Sequence, residues 1–160
     1  MKRTLLALCL LFSVGASAQT ADPLLDHVTV LTSPDARQQV LDRARVAAAL
    51  GQIVSYLRLP AEQLPNLVVI YANSQAAHID GLPQNAKITV ARITMDDSYV
   101  YQVWIAGHAT DENTIRGLVW AVNRHFALHL GEARIVDVCD HVAHHMSDLV
   151  SAADLAAKHR

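Results

Sequence analysis

Apolar residues recur along the second half of the chain with the period of about 3.6 residues that is typical of amphipathic helices. Residues 111–130 carry one such stripe, and residues 132–150 carry another. Thr110 suits the start of the first helix, because its hydroxyl can accept a hydrogen bond from a free backbone N–H. Gly131 stands where a left-handed residue commonly ends a helix. The pattern therefore predicts an antiparallel pair of helices joined by a tight turn.

Capping signals predict three further helical segments. Ser33, Pro34 and Asp35 are typical of a helix start, and this helix is expected to continue to about Leu59. Residues 73–78 read as a short helical turn before a Gly-Leu-Pro stretch. Ser151 and Asp154 have the spacing of a capping box, which predicts a separate short helix at the end of the chain.

Strands are predicted in the middle of the chain. Residues 67–71 form a continuous apolar run, as expected of a strand buried on both faces. Residues 87–94 and 99–105 flank a turn at 96–98, which predicts an antiparallel hairpin. Residues 19–33 fit either a short helix or a strand. The expected fold is therefore α+β, with a small, mostly antiparallel sheet of about three strands packed against helices.

The first 18 residues have the pattern of a secretory signal peptide. Lys2 and Arg3 precede an apolar run over residues 5–14, and Ala16 and Ala18 form a small-x-small cleavage site. Cleavage there leaves residues 19–160, a length typical of one domain. We therefore expect an exported bacterial protein, periplasmic or extracellular.

Charge and cysteine content narrow the class of protein. Loss of Lys2 and Arg3 leaves 11 basic residues against 15 acidic ones, a net charge of −4 with histidine neutral. This balance argues against nucleic-acid binding. Only Cys139 remains after Cys9 is removed, so an internal disulfide is excluded for the cleaved chain. No later apolar run approaches the roughly 20 residues of a membrane span, so no integral membrane segment is expected after cleavage.

Histidine is the unusual residue type, with nine copies in 160 residues. Two pairs have i, i+4 spacing on the predicted helices, which can bring both imidazoles to one metal ion. A tight turn at Gly131 would also place Cys139 opposite His125. The candidate ligands for a divalent transition metal are His125, His129, His141, His144, His145 and Cys139. The alternative is that these histidines are core or solvated surface residues.

The pair His125 and His129 is similar in spacing to the H-E-x-x-H helix of the zinc metallopeptidases, and the order of elements is similar too. Phe126 stands at the position of the catalytic base and cannot take a proton from water. Val142 holds that place in the second pair. An active zinc peptidase is not expected, whereas an inactive relative of that architecture is left open.

The strand at 99–105 carries three large aromatic residues. Tyr99 and Tyr101 share one face of the strand, and Trp104 lies on the other. If helices cover one face, the exposed aromatic residues are a candidate partner surface. The sequence offers no nucleophile elbow and no glycine-rich loop. We therefore expect a non-catalytic binding protein of the cell envelope, without a cofactor, whose partner is an envelope protein or a small ligand. The alternative is a periplasmic metal-binding protein that uses the helical histidines.

Overall fold

A computed structural model of the chain describes residues 23–33, 42–72, 87–106 and 110–158. The expected signal peptide and the predicted helical turn at residues 73–78 lie outside these ranges. The described elements run from a short 3-10 helix to a long terminal α-helix. In chain order they are the 3-10 helix Pro23–His27, β1 (Val28–Thr32), α1 (Arg43–Leu57), a second 3-10 helix Ala61–Gln63, β2 (Asn66–Ala72), β3 (Ile88–Met95), β4 (Ser98–Ala106), α2 (Asp111–His125) and α3 (Glu132–Lys158).

The α+β class is confirmed, but the predicted sheet is wrong in strand number and in direction. Four strands form one mixed sheet in the order β1-β2-β4-β3. β1 pairs with β2, and β2 with β4, in parallel, whereas only β3 and β4 are antiparallel. Because α1 connects β1 to β2, it provides the long crossover that parallel neighbours require.

The hairpin of β3 and β4 is confirmed. Met95 lies opposite Ser98, so Asp96 and Asp97 form a two-residue connection. Asp96 adopts a φ of 45°, which aspartate tolerates better than most residues. The Ser98 hydroxyl donates to the Met95 carbonyl at 3.2 Å and closes the turn.

The predicted bounds of the helices are wrong at three places. α1 begins at Arg43, because Asp42 has an extended backbone and its carboxylate accepts from the Arg45 N–H at 2.8 Å. α2 ends at His125, five residues before the predicted end. α3 continues through Ser151 to Lys158, since its last turns are rich in alanine and contain no helix breaker.

The connection between α2 and α3 is six residues long and is not a tight turn. The left-handed backbone falls at Ala127 and His129, and the Gly131 carbonyl instead accepts the first hydrogen bonds of α3. Arg116 pairs with Glu132 at 2.6 Å, so the first turn of α3 lies beside the middle of α2. The two helices do pack together, but not in the register that a tight turn predicts.

Helices cover one face of the sheet. α1 contacts β1, α2 contacts β3 and β4, and α3 packs against both helices. Leu67, Val69 and Tyr71 of β2 are fully buried in the resulting core, as are Val103 and Ile105 of β4. The core also receives side chains from all three helices.

α2 approaches β4 unusually closely. A Cβ atom added at Gly117 would lie 2.4 Å from a Val103 methyl group. Within the described part of the chain, no helix combines the length and the apolarity that a membrane span requires.

The opposite face of the sheet, which we call the outer sheet face, has no described helix on it. Its side chains alternate along each strand with those of the core. Val68, Ile70, Val100 and Trp104 are half-buried there and lie outside the core cluster. The sequence predicts that β2 is buried on both faces. Among the described residues, its core face is fully buried and its outer face is only half-buried at Val68 and Ile70.

Candidate binding site

The C-terminus of α1 carries a polar residue in a conformation that usually requires glycine. Arg58 has a φ of 55° and a ψ of 46°, in the left-handed region. Its N–H donates to the Ser55 carbonyl, and the Leu59 N–H reaches back to Val54, so two free carbonyls of the helix end are satisfied. A non-glycine residue costs about 1–2 kcal/mol in this region. The strain fixes the direction in which the Arg58 side chain leaves the helix.

The connection between α2 and α3 holds two more left-handed residues. Ala127 has a φ of 49° and His129 a φ of 53°. The Asn123 amide oxygen accepts from the Leu130 N–H at 3.0 Å, and the Asn123 carbonyl accepts from Leu128. These bonds fix the loop and direct Leu128 and Leu130 toward α1.

An open cavity of about 710 Å³ lies between these two strained segments, and we call it the α1–α3 cavity. Its size is in the range of small-molecule sites. Ser55, Tyr56, Leu57, Arg58, Leu128, Leu130, Arg134 and His141 line it. Of the four non-glycine residues with positive φ in the described ranges, three therefore belong to its rim or flank its lining residues. Strain of this kind concentrates at functional sites.

Tyr56 is the centre of the contacts in this cavity. The His141 ring stacks on it with 4.0 Å between centroids, and the Arg134 guanidinium lies over the ring at 4.9 Å. The Tyr56 hydroxyl donates to the Asp137 carboxylate at 3.0 Å and accepts from Arg134 at 3.3 Å. The side chains of α1 and α3 are thereby held together at the edge of the cavity.

The cavity has an excess of positive charge. Arg58 and Arg134 contribute two guanidinium groups, and the Asp137 carboxylate pairs with Arg134. No side chain in the described ranges pairs with the Arg58 guanidinium. Guanidinium groups bind carboxylates and phosphates through two parallel hydrogen bonds. The arrangement is therefore suited to an anionic group, with leucine side chains beside it for an apolar part.

His125, a predicted metal ligand, uses both ring nitrogens in hydrogen bonds. Nε2 lies 2.7 Å from the Gln63 carbonyl, to which it must donate, and Nδ1 lies 3.0 Å from the Tyr99 hydroxyl. A neutral ring with its proton on Nε2 satisfies both, because Nδ1 then accepts from Tyr99. A metal ion would have to displace one of these partners.

The other predicted histidine ligands lie elsewhere. His129 is an exposed residue of the loop, whereas His141, His144 and His145 lie along α3. The rings of His141 and His145 are 4.3 Å apart, and His145 Nδ1 donates to the His141 carbonyl at 3.1 Å. Among the described residues, no three His, Cys, Asp or Glu side chains converge to hold a metal ion. Metal binding stays a prediction.

Cys139 does not face His125 as the predicted register requires. It is buried in the core, and its charged neighbours are Arg116, Glu112, Glu132 and Asp140. Arg116 and Glu112 belong to the first half of α2, far along that helix from His125. Burial raises the pKa of the Cys139 thiol to about 11, against the smaller opposing effect of Arg116. A neutral thiol is a poor nucleophile and a poor metal ligand.

The three aromatic residues proposed as a partner surface do not form one surface. Tyr101 is buried in the core, and Tyr99 lies beside His125 at the edge of the covered side. Trp104 lies on the outer sheet face, as its position in the strand predicts, and its Nε1 donates to the Gln102 amide at 3.2 Å. Only Trp104 therefore belongs to an uncovered face.

Sequence reasoning missed most of the α1–α3 cavity. It identified His141, but as a metal ligand, and it gave no role to Tyr56, Arg58 or Arg134. Tyr56 and Arg134 are 78 positions apart and meet only because α3 packs on α1. Nothing in the local pattern around either residue indicates this contact.

Comparison with protein-family models, with curated proteins and with solved structures finds no significant match to the chain.

Proposed function

We propose that the protein is a non-catalytic binding protein of the bacterial cell envelope, and that it binds a small organic anion in the α1–α3 cavity. The observation that carries this proposal is the pair of guanidinium groups beside an apolar wall. The N-terminal sequence pattern, which is typical of a secretory signal, supports the cellular location.

The lining defines the class of ligand. Arg58 and Arg134 suit a carboxylate or a phosphate, and Leu57, Leu128 and Leu130 suit an apolar body attached to it. Tyr56 is already stacked on His141, so its hydroxyl edge is better placed than its ring face to contact a ligand. The fixed backbone on both sides of the cavity reduces the ordering cost of binding.

Asp137 opposes such a ligand. Its carboxylate occupies the Arg134 guanidinium and lies near the expected position of the anion. Removal of this charge should therefore tighten anion binding, whereas removal of either arginine should weaken it. These opposite signs distinguish a real anion site from a general loss of structure.

Calorimetric titration tests the proposal with phenyl phosphate as the probe and benzyl alcohol as its neutral counterpart. We expect Arg58→Gln and Arg134→Gln each to weaken phenyl phosphate binding about tenfold, the effect of one charge-assisted hydrogen bond. Asp137→Asn should strengthen it. Arg92→Gln is the matched control, because Arg92 lies over Tyr99 outside the cavity.

Three results would each contradict the proposal. One is no binding of phenyl phosphate at millimolar concentration. Another is equal affinity for benzyl alcohol, which would remove the role of charge. The third is equal weakening by Arg92→Gln, which would indicate a nonspecific effect of net charge.

A further inference from the structure

Two imidazole rings lie side by side on α3, one helical turn apart. The ring centroids of His141 and His145 are 4.3 Å apart, and the ring planes are tilted by 38°. His145 is exposed, whereas His141 is half-buried and lines the α1–α3 cavity. Two rings bound to one tetrahedral metal ion, with metal–nitrogen bonds of about 2.0–2.1 Å, have centroids about 5 Å apart. A small rotation of either side chain therefore brings both rings to one ion.

A hydrogen bond within α3 determines which His145 nitrogen can bind a metal ion. His145 Nδ1 lies 3.1 Å from the His141 carbonyl oxygen, and because this oxygen only accepts, Nδ1 carries the proton. In a neutral ring the lone pair then belongs to Nε2. Histidines that bind metal ions commonly donate their other ring N–H to a backbone carbonyl in this way. His145 therefore has the tautomer that a metal ligand requires.

The position of the His141 ring is fixed by its contact with α1. The ring stacks on Tyr56 with 4.0 Å between centroids and 23° between the planes. Stacking uses the face of the ring, whereas a metal ion binds in the plane of the ring, at a nitrogen. Within the described ranges, no hydrogen bond occupies a ring nitrogen of His141. This ligand is thus held in place before a metal ion binds, which reduces the ordering cost of binding.

The charges around the pair favour one class of cation over another. Arg58 and Arg134 line the same cavity and disfavour a hard cation such as Mg²⁺, which binds through oxygen ligands and negative charge. Asp137, one helical turn before His141, balances only Arg134. Imidazole nitrogens bind divalent transition metal ions without a negative charge at the site. The surroundings of the pair therefore suit a transition metal ion.

We propose that His141 and His145 bind one divalent transition metal ion, of the class of Zn²⁺, Ni²⁺ and Cu²⁺. This pair is smaller than the six-residue set that the sequence predicts, in which His125 already uses both ring nitrogens in hydrogen bonds. Water completes the coordination, because no third His, Cys, Asp or Glu side chain of the described ranges converges on the pair. The metal site goes beyond the proposed anion binding and does not depend on it.

Calorimetric titration of untagged, metal-free protein with ZnCl₂ tests the proposal. We expect one Zn²⁺ per chain, and no binding of Mg²⁺ under the same conditions. His145→Gln removes one ligand at an exposed position and should weaken Zn²⁺ binding at least about tenfold, as should His141→Gln. His129→Gln replaces an exposed histidine of the α2–α3 connection, so it is the matched control and should bind Zn²⁺ like the wild type.

His144→Gln distinguishes this pair from the third histidine of the same helical segment. The rings of His144 and His145 are 6.1 Å apart, with 79° between their planes, as expected of adjacent positions that diverge around a helix. We expect His144→Gln to keep the affinity for Zn²⁺. Loss of binding in His144→Gln, with binding kept in His145→Gln, would overturn the assignment because His141 and His144 would then be the ligands.

Two further results would overturn the proposal. One is the absence of Zn²⁺ binding by the wild type at millimolar concentration. The other is undiminished binding by the double variant His141→Gln/His145→Gln, since the ligands would then lie elsewhere in the chain. Titration with phenyl phosphate in the presence of EDTA measures the anion site separately, so that failure of one site is not mistaken for failure of the other.

Discussion

The two faces of the sheet consist of alternate residues of the same strands, yet only one of them carries the hydrophobic core. In β2, Leu67, Val69 and Tyr71 are inaccessible to solvent, whereas Val68 and Ile70 between them are half-buried. All five residues are apolar. Residue type therefore does not decide burial in this sheet; the side on which α1 and α2 pack decides it. The same substitution made on each face shows how much each face contributes to the stability of the protein.

The largest difference in stability is expected when one isoleucine on each face is replaced by alanine. Ile105→Ala removes a fully buried side chain from the core, and we expect it to lower the free energy of unfolding by about 2–5 kcal/mol. Ile70→Ala on the outer sheet face should cost less than about 1.5 kcal/mol, because its site is already partly hydrated. Urea unfolding of the two variants measures both losses. Equal losses would show that the outer face is as well packed as the core.

The covered side also holds a buried thiol, which predicts a dependence of stability on pH. The pKa of Cys139 is about 11 in the folded protein, against 9.0 for an ordinary thiol, because burial disfavours the thiolate. Below pH 9 the thiol is protonated in both states and contributes no slope. Between pH 9 and 11 only the unfolded chain loses the proton, so stability should fall by about 1.4 kcal/mol per pH unit.

Cys139→Ala isolates this effect from the titration of tyrosines and lysines in the same range. We expect the variant to lose stability less steeply than the wild type when unfolding is measured at several pH values from 8 to 11. Parallel curves for the two proteins would mean that the thiol is accessible to water.

A smaller effect is expected from Gly117→Ala, which tests how closely the helical layer covers the sheet. Alanine favours a helix over glycine by about 1 kcal/mol, but its Cβ would lie 2.4 Å from Val103. Overpacking should prevail and destabilise the protein by about 1–2 kcal/mol. In a double-mutant cycle, Val103→Ala should relieve the clash, so that the combined loss of stability is smaller than the sum of the two single losses. Additive losses would mean that the two residues are not in contact.

The smallest effect on stability is expected from Tyr71→Phe, which removes one hydroxyl group from the core. The Tyr71 hydroxyl lies 3.0 Å from the Thr114 hydroxyl, and both residues are buried. Loss of this bond should cost about 1 kcal/mol in thermal or urea unfolding. Thr114→Val removes the other partner and, combined with Tyr71→Phe, should cost less than the sum of the single effects.

The hairpin is predicted correctly from the local sequence, because Asp96 and Asp97 stand between two segments in which apolar and polar residues alternate. A turn of this kind forms without contacts to distant residues. At β1 the sequence does not distinguish strand from helix, because the five residues between the 3-10 helix and residue 33 carry too short a pattern. The parallel direction of β1 and β2 is a property of the α1 crossover. The pattern of apolar residues in either strand does not indicate this direction.

The register of α2 and α3 shows why the site could not be predicted. Glycine commonly ends a helix, so the sequence predicts the helix end at Gly131. The left-handed backbone instead occurs at Ala127 and His129, and alanine and histidine rarely adopt this conformation. Once the loop has six residues, Cys139 moves away from His125. The α1–α3 cavity then depends on the contact of Tyr56 with His141, which tertiary packing alone creates.

The order of the strands also has a consequence for how the chain folds. β4 lies between β2 and β3, although β3 precedes it in the chain, so the sheet cannot grow in chain order. The hairpin closes across two residues, which takes about 1–10 µs in isolation, and we expect it to insert beside β2 as a preformed unit. Asp96→Val, with a β-branched side chain at a φ of 45°, should then slow refolding in stopped-flow experiments and leave the unfolding rate unchanged. Faster unfolding instead would mean that the turn forms after the hairpin has docked.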